Sequence, residues 1–593
     1  MPHAATKRYP QGPPRFSRLP VGWRGSIAAR APGPCAIALM APAGTGRQHH
    51  SHSLPRCTAT MPPSLTATAQ HPFNRLDIPT LLAHRAANRR DHPFIVWEPF
   101  EGDAESWNYG RFHDEAGRIA AGLLRRGVVA GDKLLIHLDN CPEALLAWYA
   151  STWIGAVAVT TNARAADDEL AYYAEHCGAV AAITQPKFAQ RVATHCRALK
   201  WLVVTATDNG MPPAQPVEPG QRFATLMAPE AAPRHAPDPL APCSVQYTSG
   251  TTSRPKAVLW THANALWGAR INAVHEDLQA GDVHLVHLPL FHTNALAYSV
   301  LATLWAGGTA VVMPRFSASR FWPVSLRHGC TWTSMIPFCI KALMAHEVPA
   351  QHRYRLWGAA ACDLPSDPHF RVQTIGWWGM TETISHGIVS CRHWPSPALS
   401  IGRPAPEYGI AVVDDDEVPV AQARAIEPGG SGQLMVRGIP GLSLFQAYLG
   451  NAAATAASYT EDGWFRTGDR VDLLPEGSIR FGDRSKDMLK VGGENVAASE
   501  IERVVAAVPG VHECAVVARK HRMLDEVPVV FVLAVAGAAP GLAERIAAAC
   551  QSQLADFKRP HEVRLVTELP RSTLEKVAKA QLRTLLAAEG EAG

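Results

Sequence analysis

Apolar residues along this chain follow two alternating rhythms. From Asp77 the run D-I-P-T-L-L-A-H-R-A-A-N-R-R carries a helix-start signature and helical apolar spacing. A short strand is predicted at Pro93–Trp97 and a long helix at Tyr109–Arg126. The exchange continues with a strand at Lys133–Leu138, a helix at Pro142–Ile154 and a strand at Ala156–Thr161. Beyond these come Asp167–His176 (helix), Ala179–Thr184 (strand), Lys187–Cys196 (helix) and Trp201–Thr205 (strand). Strands alternating with helices at this spacing predict a parallel sheet covered by helices, an α/β fold. Asn209–Pro242 is rich in Pro and Ala and reads as a surface connection. Leu285–Met313 is strongly apolar, but His287, Pro289, His292, Asn294 and a Gly-Gly pair interrupt it. A buried strand–helix–strand is expected there rather than a membrane span. Near the C-terminus a helix restarts at Ile501–Ala507, and strands at Glu513–Ala518 and Val527–Ala536.

Residues 1–76 depart from this rhythm. They are rich in Pro, Arg, Ala and His and lack a sustained amphipathic period, so a disordered extension is expected, or an over-long start with Met61 near the real one. At 593 residues the chain is too long for one core. The formal net charge of +4 is carried by the N-terminal stretch, whose nine Lys and Arg face no Asp or Glu. Taking those nine from the 56 basic residues leaves 47 against 52 acidic ones, which excludes the basic footprint of a nucleic-acid binder. Twelve scattered cysteines without a C-x-x-C pair or zinc spacing fit free thiols in a reducing compartment, and a cytoplasmic location is expected.

The candidate chemistry begins at Tyr247–Val258, Y-T-S-G-T-T-S-R-P-K-A-V. Thr248, Ser249, Gly250, Thr251 and Thr252 offer hydroxyls and small-residue backbone, and Lys256 offers charge. That is what a loop needs to wrap a polyphosphate. It is not the Walker pattern, which needs a glycine immediately before Lys-Ser/Thr. Four further motifs follow in order: H-L-P-L-F-H-T-N-A (His287–Ala295), G-W-W-G-M-T-E-T (Gly376–Thr383), W-F-R-T-G-D (Trp464–Asp469) and G-D-R-S-K-D-M-L-K-V-G-G-E-N (Gly482–Asn495). L-P-R-S-T-L-E-K (Leu569–Lys576) closes the series.

Together, over roughly residues 77–590, these motifs resemble the adenylate-forming superfamily of acyl-CoA synthetases, peptide-synthetase adenylation domains and luciferases. Their flavour is similar to the fatty-acyl and crotonobetaine/carnitine branch of CoA ligases. The resemblance implies a large N-terminal domain, residues 77–485, with two parallel-sheet subdomains and a distorted β-barrel. It also implies a small mobile α/β domain, residues 486–593. The implied reaction joins a carboxylic acid to ATP as an acyl-adenylate with release of pyrophosphate, then forms acyl-CoA and AMP. ATP, Mg²⁺, coenzyme A and a small carboxylic acid are the implied ligands. No transmembrane segment is expected, and a homodimer is compatible with this reading.

By the same resemblance, Thr248–Lys256 would hold the β- and γ-phosphates, Thr381 the α-phosphate, and Glu382 the Mg²⁺. Gly358 and Ala359 would line the nucleotide pocket with Gly379 nearby, and Trp378 would stack on adenine. Asp469 and Arg484 would hold the ribose side, and Lys486 would be the hinge. Lys576 would be the catalytic cation of the first half-reaction. His292 would gate a pantetheine tunnel lined by Gly492 and Gly493. The chain departs from the family at Ser253 and Ala257, where Gly is usual, at Ala498 for Pro, and at Glu575 for Gly. The Gly358–Trp377 interval is also short. Two other readings share the motifs: an adenylation enzyme serving a separate carrier protein, and an inactive ATP-binding member. His292-Thr293-Asn294 stands where an amino-acid-activating module would carry an aspartate, which disfavours an α-amino acid substrate.

Overall fold

The computed structural model describes residues 71–206, 208, 210–211, 220–248, 254–484, 488–570, 577 and 579–590. The first helix, Ile78–Asn88, starts where the sequence places it. The Asp77 side chain accepts from the Thr80 amide at 2.8 Å, and a proline stands in the first turn, where a missing N–H does no harm. Asn108 caps Tyr109–Arg125 in the same way. Helix Pro142–Trp153 is buried on almost every side, as its lack of a polar face requires.

These helices cover two parallel-rich sheets. One has eight strands in the order Ala447–Tyr448, Lys256–Thr261, Pro242–Thr248, Val157–Thr160, Lys133–His137, Ala179–Thr184, Trp201–Val204, Gln221–Arg222. From Pro242–Thr248 onward every pairing is parallel, and Lys256–Thr261 turns back antiparallel. The other has nine strands, with a parallel centre built from Thr374–Trp378, Leu356–Ala359, Trp332–Ser334, Val283–Val286, Thr309–Val312 and Pro93–Trp97. The expected distorted barrel takes the form of a curled, four-stranded antiparallel half-barrel: Gly409–Val413, Ser431–Arg437, Phe465–Leu473 and Ile479–Arg484. A small C-terminal α/β part follows. Its five-stranded sheet includes the long hairpin Val511–His521/Asp525–Ala534, and Ala498–Ala506 and Leu542–Gln553 pack against it around a separate apolar core.

Two local features differ from simple expectation. The helix between Val283–Val286 and Thr309–Val312 is π-wound over Asn294–Leu301 before it becomes α-helical at Ala302–Ala306. The Ser299 hydroxyl donates to the Asn294 carbonyl at 3.1 Å inside this wider turn. In the short interval before Thr374–Trp378, a one-turn helix, Asp367–Phe370, connects the strands. Among the described residues no helix is long and apolar enough to cross a membrane, and the ten described cysteines are free thiols.

Candidate active site

The phosphate-loop candidate joins two strands that pair antiparallel. Thr248 pairs with Lys256 across strands Pro242–Thr248 and Lys256–Thr261, so both residues flank the connection between the two strands. Ser249, Gly250, Thr251 and Thr252 lie outside the described residues. The Lys256 ammonium stands 4.6 Å from the centroid of the Tyr448 ring, a cation–π distance. Tyr448 reaches this place because its two-residue strand pairs with Lys256–Thr261. Its hydroxyl then donates to Glu382 Oε1 at 2.9 Å.

Glu382 is 4% exposed. Burial pushes its carboxyl above the ordinary range, while the Tyr448 hydrogen bond and the Lys256 charge pull it back. Its neighbour Thr381 is held from two sides. The carbonyl accepts from Trp260 Nε1 at 2.9 Å, and the hydroxyl lies 3.0 Å from that of Thr293, which is itself 2.7 Å from Gln246 Oε1. The loop bearing His292 and Thr293 thus abuts the Thr381–Glu382 turn.

The half-barrel closes another side. Trp378 Nε1 donates to Asp469 Oδ2 at 2.8 Å, and both residues are buried. Asp469 pairs across strands with Arg484. Gly358 and Ala359 lie on a buried strand, and a β-carbon on Gly358 would fall 1.7 Å from the Trp377 ring, so that ring's approach requires glycine. A β-carbon on Gly379 would meet the Tyr298 hydroxyl at 2.4 Å.

At the edge of the site, His292 Nε2 lies 2.9 Å from Glu494 Oε2. The imidazole remains 41% exposed, whereas the Glu494 side chain is 9% exposed. Burial opposes the His292 charge, but Glu494 outweighs it and raises the imidazole's pKa, and the same pairing lowers that of Glu494 against its own burial. Gly492 and Gly493 form the adjoining turn with φ of +57° and +88°. A β-carbon on Gly493 would come within 2.3 Å of Ile336 Cδ1.

The structure therefore gathers Lys256, Thr381, Glu382, Trp378, Asp469, His292 and Gly493 around one junction. Lys576, Lys486 and the side chain of Arg484 lie outside the described residues. Tyr448, Thr293, Gln246 and Glu494 were not singled out from the sequence. Each acts through a partner distant in the chain, for which no local spacing is a signal.

Two family models match this chain: "AMP-binding enzyme" over residues 82–449 and "AMP-binding enzyme C-terminal domain" over residues 500–576. The chain is 32% identical over 508 residues to the crotonobetaine/carnitine–CoA ligase of Proteus mirabilis, covering 82% of this chain and 95% of that protein. The fold is that of the o-succinylbenzoate CoA synthetase of Bacillus subtilis, 24% identical and covering 86% of this chain. In complex with a product analogue, a double mutant of that enzyme superposes with a TM-score of 0.72 over 99% of its chain. In complex with AMP the enzyme superposes with a TM-score of 0.60 over 98%. The chain belongs to the AMP-binding, adenylate-forming enzyme family and is a member of its acid–thiol (AMP-forming CoA) ligases.

Proposed function

We propose that this chain is an ATP-dependent carboxylic acid:CoA ligase whose first substrates to try are small acids of the crotonobetaine/carnitine kind. The observation that carries the reading is the junction at Thr381–Glu382. Lys256 and Tyr448 approach it from one side, and the Thr293–His292 arm, ending on Glu494 beside Gly493, approaches from the other. One centre thus faces both a polyphosphate loop and a glycine turn through which a thiol could reach. The identity to a crotonobetaine/carnitine–CoA ligase across most of both chains supports the substrate class.

In this reading Thr248 to Lys256, with Ser249, Gly250, Thr251 and Thr252 between, cradle the outer phosphates. Phosphoryl-type chemistry asks mainly for positioning and charge stabilisation, and hydroxyls, backbone amides and an ammonium supply both. The Thr381 hydroxyl donates toward the α-phosphate, with its backbone fixed by Trp260. Trp378 packs at the nucleotide base beside Gly358, Ala359 and Gly379 while orienting Asp469, whose carboxylate accepts from the ribose hydroxyls with Arg484 alongside. Lys576 bridges the acid's carboxylate and the α-phosphate, and Lys486 is the hinge between residues 77–485 and 486–593.

Glu382 and Thr381 present a carboxylate and a hydroxyl, a donor set that suits a hard divalent ion. Among the described residues no cluster of three or more His, Cys, Asp or Glu would cage a metal, so Mg²⁺ fits here as a companion of the nucleotide. When bound it would neutralise phosphate charge. His292, oriented by Glu494, stands at the mouth of the passage that Gly492 and Gly493 leave open for the pantetheine thiol.

Carboxylate-dependent ATP–pyrophosphate exchange, run against betaine-like, fatty and aromatic acids with and without CoA, tests this. Exchange with one acid class together with CoA-dependent AMP release is expected. Exchange without CoA-dependent AMP release would move the acceptor to a carrier protein. No exchange from folded protein that binds ATP would overturn the ligase assignment.

A further inference from the structure

Away from the reacting groups, three ionisable side chains meet where the small C-terminal part touches the helix Asp167–Cys177. Lys558, on the turn Asp556–Lys558, donates through Nζ to Glu169 and, at 2.8 Å, to Glu500 Oε1. They are 4%, 7% and 3% exposed respectively. Glu169 stands in the first turn of helix Asp167–Cys177, and Glu500 in the first turn of helix Ala498–Ala506. The lysine therefore joins one carboxylate from each side of the contact. Arg164 reinforces it, bonding Asp556 at 2.6 Å and lying 4.6 Å over the Phe557 ring.

A buried ammonium between two carboxylates is poor evidence for stability, since desolvating three charges offsets much of their attraction. It is strong evidence for geometry, because breaking one contact leaves a charge stranded without water. The cluster also sits on a short lever. Strand Glu494–Ala497 runs without a break into helix Ala498–Ala506, so the residue that Lys558 grips is six positions from the one that meets His292. Lys341, on helix Pro337–Leu343, bonds Asp525 at 2.8 Å, and Asp525 pairs with Val491 just before Gly492 and Gly493.

We infer that Lys558, through Glu169 and Glu500, is a positioning residue for thioester formation: it clasps the C-terminal part in the orientation that sets Gly493 and Glu494 against Ile336 and His292. It touches no substrate. The inference rests on the ligase reading above for its kinetic consequence, and on contacts alone for its structural one.

Glu169→Gln is the informative variant. It removes the charge on the N-terminal side, leaves Lys558–Glu500 intact within the C-terminal part, and keeps a side-chain oxygen for the Ala166 amide that Glu169 now caps at 3.0 Å. Single-turnover transfer of preformed acyl-adenylate to CoA is expected to slow about tenfold or more, with pyrophosphate exchange within twofold of the parent. Lys558→Met should do the same, and Lys558→Arg should recover much of the rate. Equal loss in both half-reactions would reduce the cluster to a structural role, and an unchanged transfer rate would overturn the clasp. If the parent protein shows no exchange with any acid, the ligase reading fails, and the clasp is read by hydrogen exchange. Glu169→Gln should then lower amide protection in Glu494–Ala497 about tenfold, and unaltered protection there would sink the inference.

Discussion

Individual side chains set two sensitivities of this protein. Glu382 is buried, which raises its carboxyl's pKa, while Tyr448 and Lys256 beside it pull the pKa back toward the charged form. Glu382→Gln keeps the shape and an acceptor for Tyr448 but loses the charge. Adenylate formation is expected to fall at least about 100-fold, equivalent to about 3 kcal/mol of barrier, with the melting temperature nearly unchanged. Pyrophosphate exchange checks it, and parent-like exchange would remove Glu382 from the site. The second sensitivity is to acid. Burial holds the imidazoles of His137, His284 and His287 down to about 3 and that of His262 to about 4, and keeps His386 well below its usual value. The unfolded chain takes up these protons near 6.5 and the folded one does not. Stability is therefore whole above pH 6.5 and drains as pH falls from there toward the folded values, by about 1.4 kcal/mol per pH unit for each histidine. Urea midpoints between about pH 7.5 and pH 5 should drop steeply below 6.5. A flat profile would contradict the neutral, buried imidazoles.

Elements rather than residues decide whether the glycine turn can serve a thiol. The hairpin Met488–Val491/Glu494–Ala497 turns through Gly492 and Gly493, both at positive φ, and Gly493 packs on Ile336, at the start of helix Pro337–Leu343. Gly493→Ala meets two obstacles: a left-handed backbone that costs a β-carbon about 1–2 kcal/mol, and a clash with the Ile336 side chain. Transfer of acyl-adenylate to CoA should slow about tenfold or more in single-turnover assays. Adding Ile336→Val should recover little, because it relieves the clash and leaves the backbone strain. Full recovery would assign the effect to packing alone. Much at this scale was legible in advance. The alternation from Asp77 to Thr205 placed the helices and strands it named within a residue or two, because caps, prolines and apolar periodicity act over a single turn. It missed the short strand Glu105–Asn108, which pairs with Pro93–Trp97 and has only one buried residue to mark it. The π-wound Asn294–Leu301 was not legible, since its wider turn answers to the packing around it rather than to its own apolar run.

At the scale of the whole molecule, the site exists only because sheets from distant parts of the chain converge. If the junction at Thr381–Glu382 binds nucleotide, saturating ATP with Mg²⁺ should raise the melting temperature. At 100 times its dissociation constant a ligand contributes about 2.7 kcal/mol. Thermal unfolding with ATP, and then with a supporting acid as well, measures this, and an unmoved transition would refute the nucleotide site. The sequence by itself determined the α/β alternation and the order of the chemical motifs, because periodicity and turn chemistry are local properties of a few neighbouring residues. Only the tertiary structure decided the partnerships: Glu382 with Tyr448, Trp378 with Asp469, His292 with Glu494, and Glu169 with Lys558. These partners stand 66 to 389 positions apart. Strand order and the crossing of the chain between sheets bring them together, and no residue's own neighbourhood carries that information.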